Sequence, residues 1–355
     1  MKPEVYFISV EDREDPSSIA KKVKVLYDRS GGDRGFKKGD YVAVKTHFGE
    51  SDNTTYLHPI FIKAVIDKLK QKGVVPFLTE TSTLYRGKRS NAIDHIKLAH
   101  EHGFGIDKVG APLIMADGLF GDAEVVIEIK GKHFNRVNIA REIAKVQGLV
   151  VLSHFKGHVA FGFGGALKNI GMGLASRMGK LRQHSVMSPE IISSKCTACG
   201  LCIQWCPQNT IAMVDGKAFI YKENCIGCGQ CLAVCKFDAV KYDFQRDSAS
   251  LQEMSVEHVA GVLKAVRGNA FFMNFLLNIT IDCDCGNGGR RVSRDIGLLA
   301  SRDVVAIDRA SCDIFERVNG KSFREATRPH LNPFVQLEHA QAIGLGNNEY
   351  ELVEL

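Results

Sequence analysis

Residues 196–235 read Cys196-Thr-Ala-Cys199-Gly-Leu-Cys202-Ile-Gln-Trp-Cys206-Pro207 and then, after 17 residues, Cys225-Ile-Gly-Cys228-Gly-Gln-Cys231-Leu-Ala-Val-Cys235. Both halves are C-x2-C-x2-C-x3-C runs, and the second repeats the first at an offset of 29 residues for all four cysteines. Spacing this tight sets three thiolates on one turn of chain, where they can grip three irons of a 4Fe-4S cube. The fourth is carried onto the following helix, within reach of a second cube. Cys196, Cys199, Cys202 and Cys235 are therefore expected to hold one cluster, and Cys225, Cys228, Cys231 and Cys206 the other.

This is the ligand run of a bacterial two-cluster ferredoxin. A zinc site takes four thiolates per ion in two pairs and has no use for triplets closed by a crossed fourth cysteine. Gly200, Gly227 and Gly229 let the loop backbone approach cluster sulfides, and Pro207 turns the chain out of the first loop. Lys236 stands at the equivalent place in the second copy.

At 355 residues the chain far exceeds the roughly 60 that a ferredoxin needs, so two or three domains are expected. Hydrophobic residues make up 45% and charged residues 24%, the composition of an ordinary globular protein with a substantial core. The net charge of +6 is mild and the basic residues are spread out, which argues against nucleic acid as a partner. Eight of the eleven cysteines belong to the repeat, leaving Cys283, Cys285 and Cys312. Cluster ligands imply a reducing compartment. The start, MKPEVYFISVEDRED, has no apolar stretch of signal-peptide length, and the apolar run Ala270 to Ile281 is too short to span a bilayer. A cytoplasmic protein with no membrane span is expected.

Before the repeat, short apolar runs alternate with helical patterns. Val5–Val10, Tyr41–Val44, Val74–Thr79, Pro112–Ala116 and Leu149–Leu152 read as buried strands. Helices are expected from Asp15-Pro16-Ser17 to Arg29, from His58-Pro59 to Gly73 and from Asn91 to His102. Glu124–Lys130 and Lys132–Val137 read as an edge hairpin, followed by a helix near Asn138–Lys145. After the repeat come a helix over Val256–Arg267, a strand around Ala270–Ile281, a short strand at Val304–Ile307 and two helices. The fold class is α/β: a mostly parallel sheet with helices on both faces, interrupted by a small ferredoxin-like domain. The expected division is residues 1–186 and 246–355 for the two parts of the α/β domain and 187–245 for the insert.

In an open parallel sheet ligands sit outside the carboxyl ends of the strands. Those ends carry Lys45 and His47, Glu80, Asp117, His154 with Lys156 and His158, Asp282 with Cys283 and Cys285, and Asp308. The glycine-rich segment Phe161–Gly173, with Gly164, Gly165 and Lys168, has two readings: a nest of N–H groups for an anion leading into a helix, or close packing against the cluster unit. It matches neither the P-loop nor the dinucleotide spacing. His154 and His158 read either as ligands or proton carriers, or as structural hydrogen-bonders. Lys156, Lys168, Lys180, Arg182 and His184 crowd one segment, suited to a small anionic substrate or to a solvated face. Cys283-Asp284-Cys285 reads as ligands for a further metal, as a redox-active thiol pair, or as buried inert thiols.

The segment HFKGHVAFGFGGALKNIGMG with the GKLRQH that follows it, the CDC at 283–285 and SRDVVAIDRA at 301–310 resemble the family labelled domain of unknown function 362, in the branch with a ferredoxin-like insert. The resemblance covers nearly the whole chain. It implies the architecture and the importance of Lys156, His158, Lys168 and the C-x-C loop, and brings no substrate with it.

Two function classes compete on these residues. In one, two 4Fe-4S clusters take electrons from a donor or acceptor protein and serve a site in the α/β lobe, where Lys156, Lys168, His154 and His158 bind substrate or shuttle protons, Lys45, His47, Asp117, Gly164, Gly165 and His184 add binding groups, and an additional metal or a flavin is a further option. In the other, the protein is a non-enzymatic electron carrier or assembly factor that docks to a partner. A flat basic surface favours the second; a preformed polar pocket counts against it.

Overall fold

The computed structural model of the chain describes residues 2–85, 87–184, 189–225, 230–235, 237, 239–241 and 247–355. Cys228, Gly227, Gly229, Lys236 and the expected domain boundaries near 187 and 245 lie outside the described residues. In chain order the strands are β1 (Glu4–Ser9), β2 (Tyr41–Lys45), β3 (Val75–Glu80), β4 (Leu113–Met115), β5 (Glu124–Glu128), β6 (Arg136–Ala140), β7 (Gly148–His154), β8 (Lys156–His158) and β9 (Gly162–Gly164). Four short strands follow in the cysteine segment: β10 (Glu190–Ile191), β11 (Ile211–Val214), β12 (Lys217–Ile220) and β13 (Val240–Lys241). β14 (Ala270–Leu276), β15 (Gly297–Ser301) and β16 (Glu351–Glu354) complete the series.

Eight strands form one sheet in the order β16-β1-β15-β14-β7-β2-β3-β4. Every neighbouring pair is parallel except where β15 runs antiparallel to β1 and β14. β7 and β14 are buried along their whole length, as continuous apolar runs in a sheet covered on both faces should be. Alternation along β7 sends Leu149 and Val151 into one core and Val150 and Leu152 into the other. Helices Pro16–Arg29 and Pro59–Gln71 bury their apolar stripes in the second core. Ser248–Ala265, Val304–Asn319 and Val335–Ala342 fill the first. The pairing of β7 with β14 joins chain from before and after the cysteine repeat in one sheet.

Local chemistry explains where the sheet departs from expectation. Val304–Ile307 is not a strand but the first turn of helix Val304–Asn319: Asp303 accepts hydrogen bonds from the N–H groups of Val305 and Ala306 and caps it. The strand there is β15, which ends three residues before Val304. No helix starts at Asn138, because β6 runs on to Ala140 against β5 and a 3-10 turn, Arg141–Lys145, follows. The hairpin's second strand starts late because the N–H groups of Lys132, His133 and Phe134 donate to the carboxylate of Glu257 at 2.7–2.9 Å instead of to the ladder. β14 stops at Leu276, and β16, at the sheet edge, is a further strand.

The described part of the cysteine segment holds the pairs β10–β13 and β11–β12 around a small core of its own, made by Ile211, Ala218, Ile220, Ala239 and Val240 with Cys196 and Cys231. Cys202, Cys206, Cys225 and Cys235 pack against that core. Among the described residues no helix is long and apolar enough to cross a membrane.

Candidate active site

β2 and β3 run side by side and end in opposite charges. Lys45 Nζ lies 2.5 Å from Glu80 Oε1 and 2.7 Å from Asn169 Oδ1, and both charged side chains are buried. Burial disfavours the Glu80 carboxylate, but Lys45, His47, His95 and Arg89 outweigh it and hold its pKa down to about 2. For Lys45 burial wins, and its pKa is pushed below the ordinary lysine value despite Glu80.

β7 ends at His154 and the chain turns into the β8–β9 hairpin, in which Lys156 faces Gly164 and His158 faces Gly162. The Gly157 N–H donates to Thr280 O at 2.8 Å, and a Cβ on Gly157 would lie 2.0 Å from Ile281 O, so the hairpin is pressed onto the loop that carries Cys283. Asp284, fully buried in that loop, accepts from His154 Nδ1 at 2.9 Å and Thr55 Oγ1 at 2.7 Å and pairs with Lys156 Nζ at 3.3 Å. Burial opposes this carboxylate too; His154 and Lys156 override it and hold its pKa well below the usual range.

The glycine-rich segment leads into the short helix Ala166–Gly171, whose first N–H groups are already taken. Ala166 and Leu167 donate to the two carboxylate oxygens of Asp308 at 2.7 and 2.9 Å. A side chain on Gly165 would collide with Asp308 Oδ1 at 2.3 Å. The expectation that these N–H groups cradle an external anion is corrected: Asp308, on helix Val304–Asn319 rather than at a strand end, fills that place. What this segment presents outward is Lys168.

These elements enclose a cavity of about 440 Å3. His47, Lys156, His158, Gly164, Gly165, Lys168, His184, Cys283 and Cys285 line it, together with Glu80, Arg89 and Lys180. Lys45, His154 and Asp117 do not line it: the first two support its wall through Glu80 and Asp284, and Asp117 accepts from the Ser82 N–H at 2.7 Å. Burial raises the Asp117 pKa to about 6, against Lys180, and lowers that of Lys180 to about 8, against Asp117 and Glu80. Asp282 bonds to Arg328 instead. Arg182 points elsewhere, 4.8 Å from the Phe134 ring and bonded to Asn138.

Cys283 Sγ and Cys285 Sγ are 3.2 Å apart. Lys168 Nζ is 3.9 Å from Cys283 Sγ, and His47 Nε2 is 3.5 Å from Cys285 Sγ. The Gly49 N–H donates to His47 Nδ1 at 3.0 Å, and His47 Nε2, which faces Cys285, lies 2.9 Å from Arg89 Nη1, so the ring sits between the guanidinium and the thiol. Burial and then Arg89 keep His47 neutral by lowering its pKa. The S–H of Cys283 donates to Cys285 and holds the Cys285 pKa well below the ordinary thiol value against burial, with His47 and Lys168 adding to the effect; Cys283 is pushed up by the same bond and by burial. Arg89, which bonds Glu50 at 3.1 Å, and Tyr85 were not legible as site residues, although both lie in the loop that follows Glu80.

A second, narrow cavity in the cysteine segment is lined by Cys196, Cys199, Cys202 and Cys235, one complete predicted ligand set. The Cys202 thiol is raised first by burial and then by those same three cysteines, so the four sulfurs share one neighbourhood. Backbone N–H groups of Ala218, Ala239 and Thr210 donate to Cys196, Cys235 and Cys206 Sγ at 3.4–3.5 Å, the kind of hydrogen bond that cluster thiolates accept. These residues fit a 4Fe-4S cube. Of the second set, Cys206, Cys225 and Cys231 are described and pack on the segment's core. Among the described residues no three His, Cys, Asp or Glu side chains converge on a single metal ion; a cube takes its thiolates on four separate irons.

No curated protein matches the chain. Among solved structures, the lactate racemase apoprotein from Thermoanaerobacterium thermosaccharolyticum is similar over 88% of this chain and 57% of its own, with 11% identity and a TM-score of 0.43. A protein from Thermotoga maritima is similar over 87% of this chain and 61% of its own, with 10% identity and a TM-score of 0.47. The chain thus spans less than two thirds of the length of either. The sequence pattern of one family matches residues 42–313, more than half of the chain. The chain belongs to that family, described as Domain of unknown function (DUF362).

Proposed function

We propose that the protein is an iron–sulfur redox enzyme of the family branch with a two-cluster ferredoxin-like insert, acting on a small anionic substrate in the cavity at the sheet's carboxyl edge. Cys196, Cys199, Cys202 and Cys235 would hold one 4Fe-4S cluster, and Cys206, Cys225, Cys228 and Cys231 the other. When bound, such clusters exchange electrons one at a time. The observation that carries the reading is where the cysteine segment is attached. His184, the last described residue before it, and Leu251, shortly after it, both line the cavity, and Ser248 Oγ bonds Ala160 O at the cavity wall.

Lys156, Lys168, Lys180 and Arg89 supply the positive charge that draws in and orients an anion. Lys180, with its pKa near 8, holds a proton it can release close to neutrality. His47 stands between Arg89 and Cys285, its Nε2 2.9 Å from Arg89 Nη1 and 3.5 Å from Cys285 Sγ. An electron carrier that docks through a flat basic surface has no need of an enclosed cavity, which favours the enzyme reading. An external donor or acceptor protein and a reducing, cytoplasmic setting belong to the same proposal.

The test is a redox titration of the full chain followed by electron paramagnetic resonance, with malonate as the cavity probe. Two one-electron centres are expected, with malonate altering the spectrum or potential of at least one, and the effect lost in Lys168→Met. Absence of reduced-cluster signals, or malonate binding that leaves both centres unchanged, would count against the relay.

A further inference from the structure

We propose that Cys283 and Cys285 form a dithiol–disulfide couple that reduces a small anionic disulfide bound in the cationic cavity, Cys285 attacking and Cys283 resolving. This deepens the proposed function and rests on the cavity being the substrate site.

Four observations converge on it. The two sulfurs are 3.2 Å apart, and both line the cavity. They differ in access: Cys285 is half-buried and Cys283 is buried, the order that an attacking and a resolving thiol require. Both have a basic side chain beside them, Lys168 Nζ at 3.9 Å from Cys283 and His47 Nε2 at 3.5 Å from Cys285 with Arg89 Nη1 2.9 Å behind it, and these positive surroundings favour the thiolate nucleophile. Finally, the loop is anchored behind the sulfurs and not through them. The Asp284 carboxylate takes His154, Lys156 and Thr55, the Glu50 N–H donates to Asp284 O at 3.1 Å, and the Asn53 side chain donates to Gly286 O at 2.8 Å. The thiols can change covalent state without loss of a structural bond.

The step balances without an outside reagent. The Cys285 thiolate attacks one sulfur of the substrate, whose S–S bond breaks and releases one thiolate, leaving a mixed disulfide on Cys285. The Cys283 proton passes to that leaving thiolate. Cys283 then attacks Cys285 Sγ and expels the second thiolate, so the substrate gains the two electrons that the cysteine pair loses. Lys156, Lys168, Lys180 and Arg89 select an anionic disulfide over a cationic one.

The sequence supplies a clean readout. Trypsin releases Gly268–Arg290 as one peptide that contains Cys283, Cys285 and no other cysteine. The anaerobically purified full chain is mixed with dithiodipropionate, or with cystamine as its cationic counterpart, and thiol release and the mass of this peptide are followed. Expected with dithiodipropionate are two thiols released per couple oxidised and a peptide two hydrogens lighter. Cystamine is expected to react at least about tenfold more slowly. Cys283→Ser should stop at the mixed disulfide with one thiol released, and Cys285→Ser should leave the peptide unmodified. A wild-type peptide that stays reduced or halts at the mixed disulfide would overturn the proposal, as would equal rates with the two probes. The reaction uses electrons already in the dithiol, so iron and sulfide counted on the same sample report separately on the cluster reading.

Discussion

Lys45 Nζ and Glu80 Oε1 meet at 2.5 Å where two parallel strands end, with both side chains shut away from water. The partners respond differently to burial: Glu80 is held down by Lys45 first and by the other basic groups around it, whereas Lys45 is pushed down by desolvation that one carboxylate does not offset. The pair is therefore worth less than the Glu80 shift alone suggests, but breaking it strands a buried charge. Lys45→Met or Glu80→Gln should each cost about 3–5 kcal/mol in urea unfolding, and the double variant should cost clearly less than the sum.

Acid exposes Glu80 and Asp308 with opposite signs. The folded pKa of Glu80, about 2, lies below its unfolded value, so its contribution is present above roughly pH 4.5 and is lost as the pH falls through 2. Burial raises the pKa of Asp308 to about 6, against the hydrogen bonds from Asn274, Leu167 and Ala166. Its contribution is full below roughly pH 4 and is lost as the pH rises through 6. Unfolding free energies measured from pH 4 to 7 should therefore fall more steeply with rising pH in the wild type than in Asp308→Asn.

Asp308 also holds the wall of the cavity in place, because it receives Ala166 N, Leu167 N and Asn274 Nδ2 at 2.7–2.9 Å. Asp308→Ala leaves these buried donors unpaired and should cost roughly 2–4 kcal/mol. Since the same helix carries Lys168, malonate affinity measured by calorimetry should fall as well, although Asp308 does not line the cavity.

Lys180 gives the cavity its own pH dependence. Burial brings its pKa to about 8, against the pull of Asp117 and Glu80. Malonate affinity is expected to weaken as the pH rises through about 8, as the ammonium loses its proton. In Lys180→Met the inflection should be absent and the affinity lower throughout the acidic limb.

What could be read from the sequence was what is encoded locally. The grouping of the eight repeat cysteines into two ligand sets is an expectation from spacing alone, whereas the strand ends announce themselves where an apolar run stops at Lys45, Glu80 or His154. Alternating strands and helices identify a parallel sheet for the same reason. Misread elements depended on partners distant in the chain. Residues 132–134 leave the ladder because Glu257 attracts their N–H groups. Val304–Ile307 has a strand's composition, and only the Asp303 cap reveals a helix. Likewise the anion for the Ala166 helix start is the chain's own Asp308, which no spacing rule connects to it. Arg89 joined the site unannounced because the loop after β3 folds back over the cavity, with the Thr83 N–H donating to Arg89 O at 2.9 Å.

Whether the cysteine repeat holds two clusters that serve this cavity is decided by a count of iron, acid-labile sulfide and other metals on protein purified without oxygen. About eight irons and eight sulfides per chain are expected, falling by about half in Cys235→Ser or Cys206→Ser. Zinc at one ion per four thiolates, or thiols with neither iron nor sulfide, would contradict this expectation.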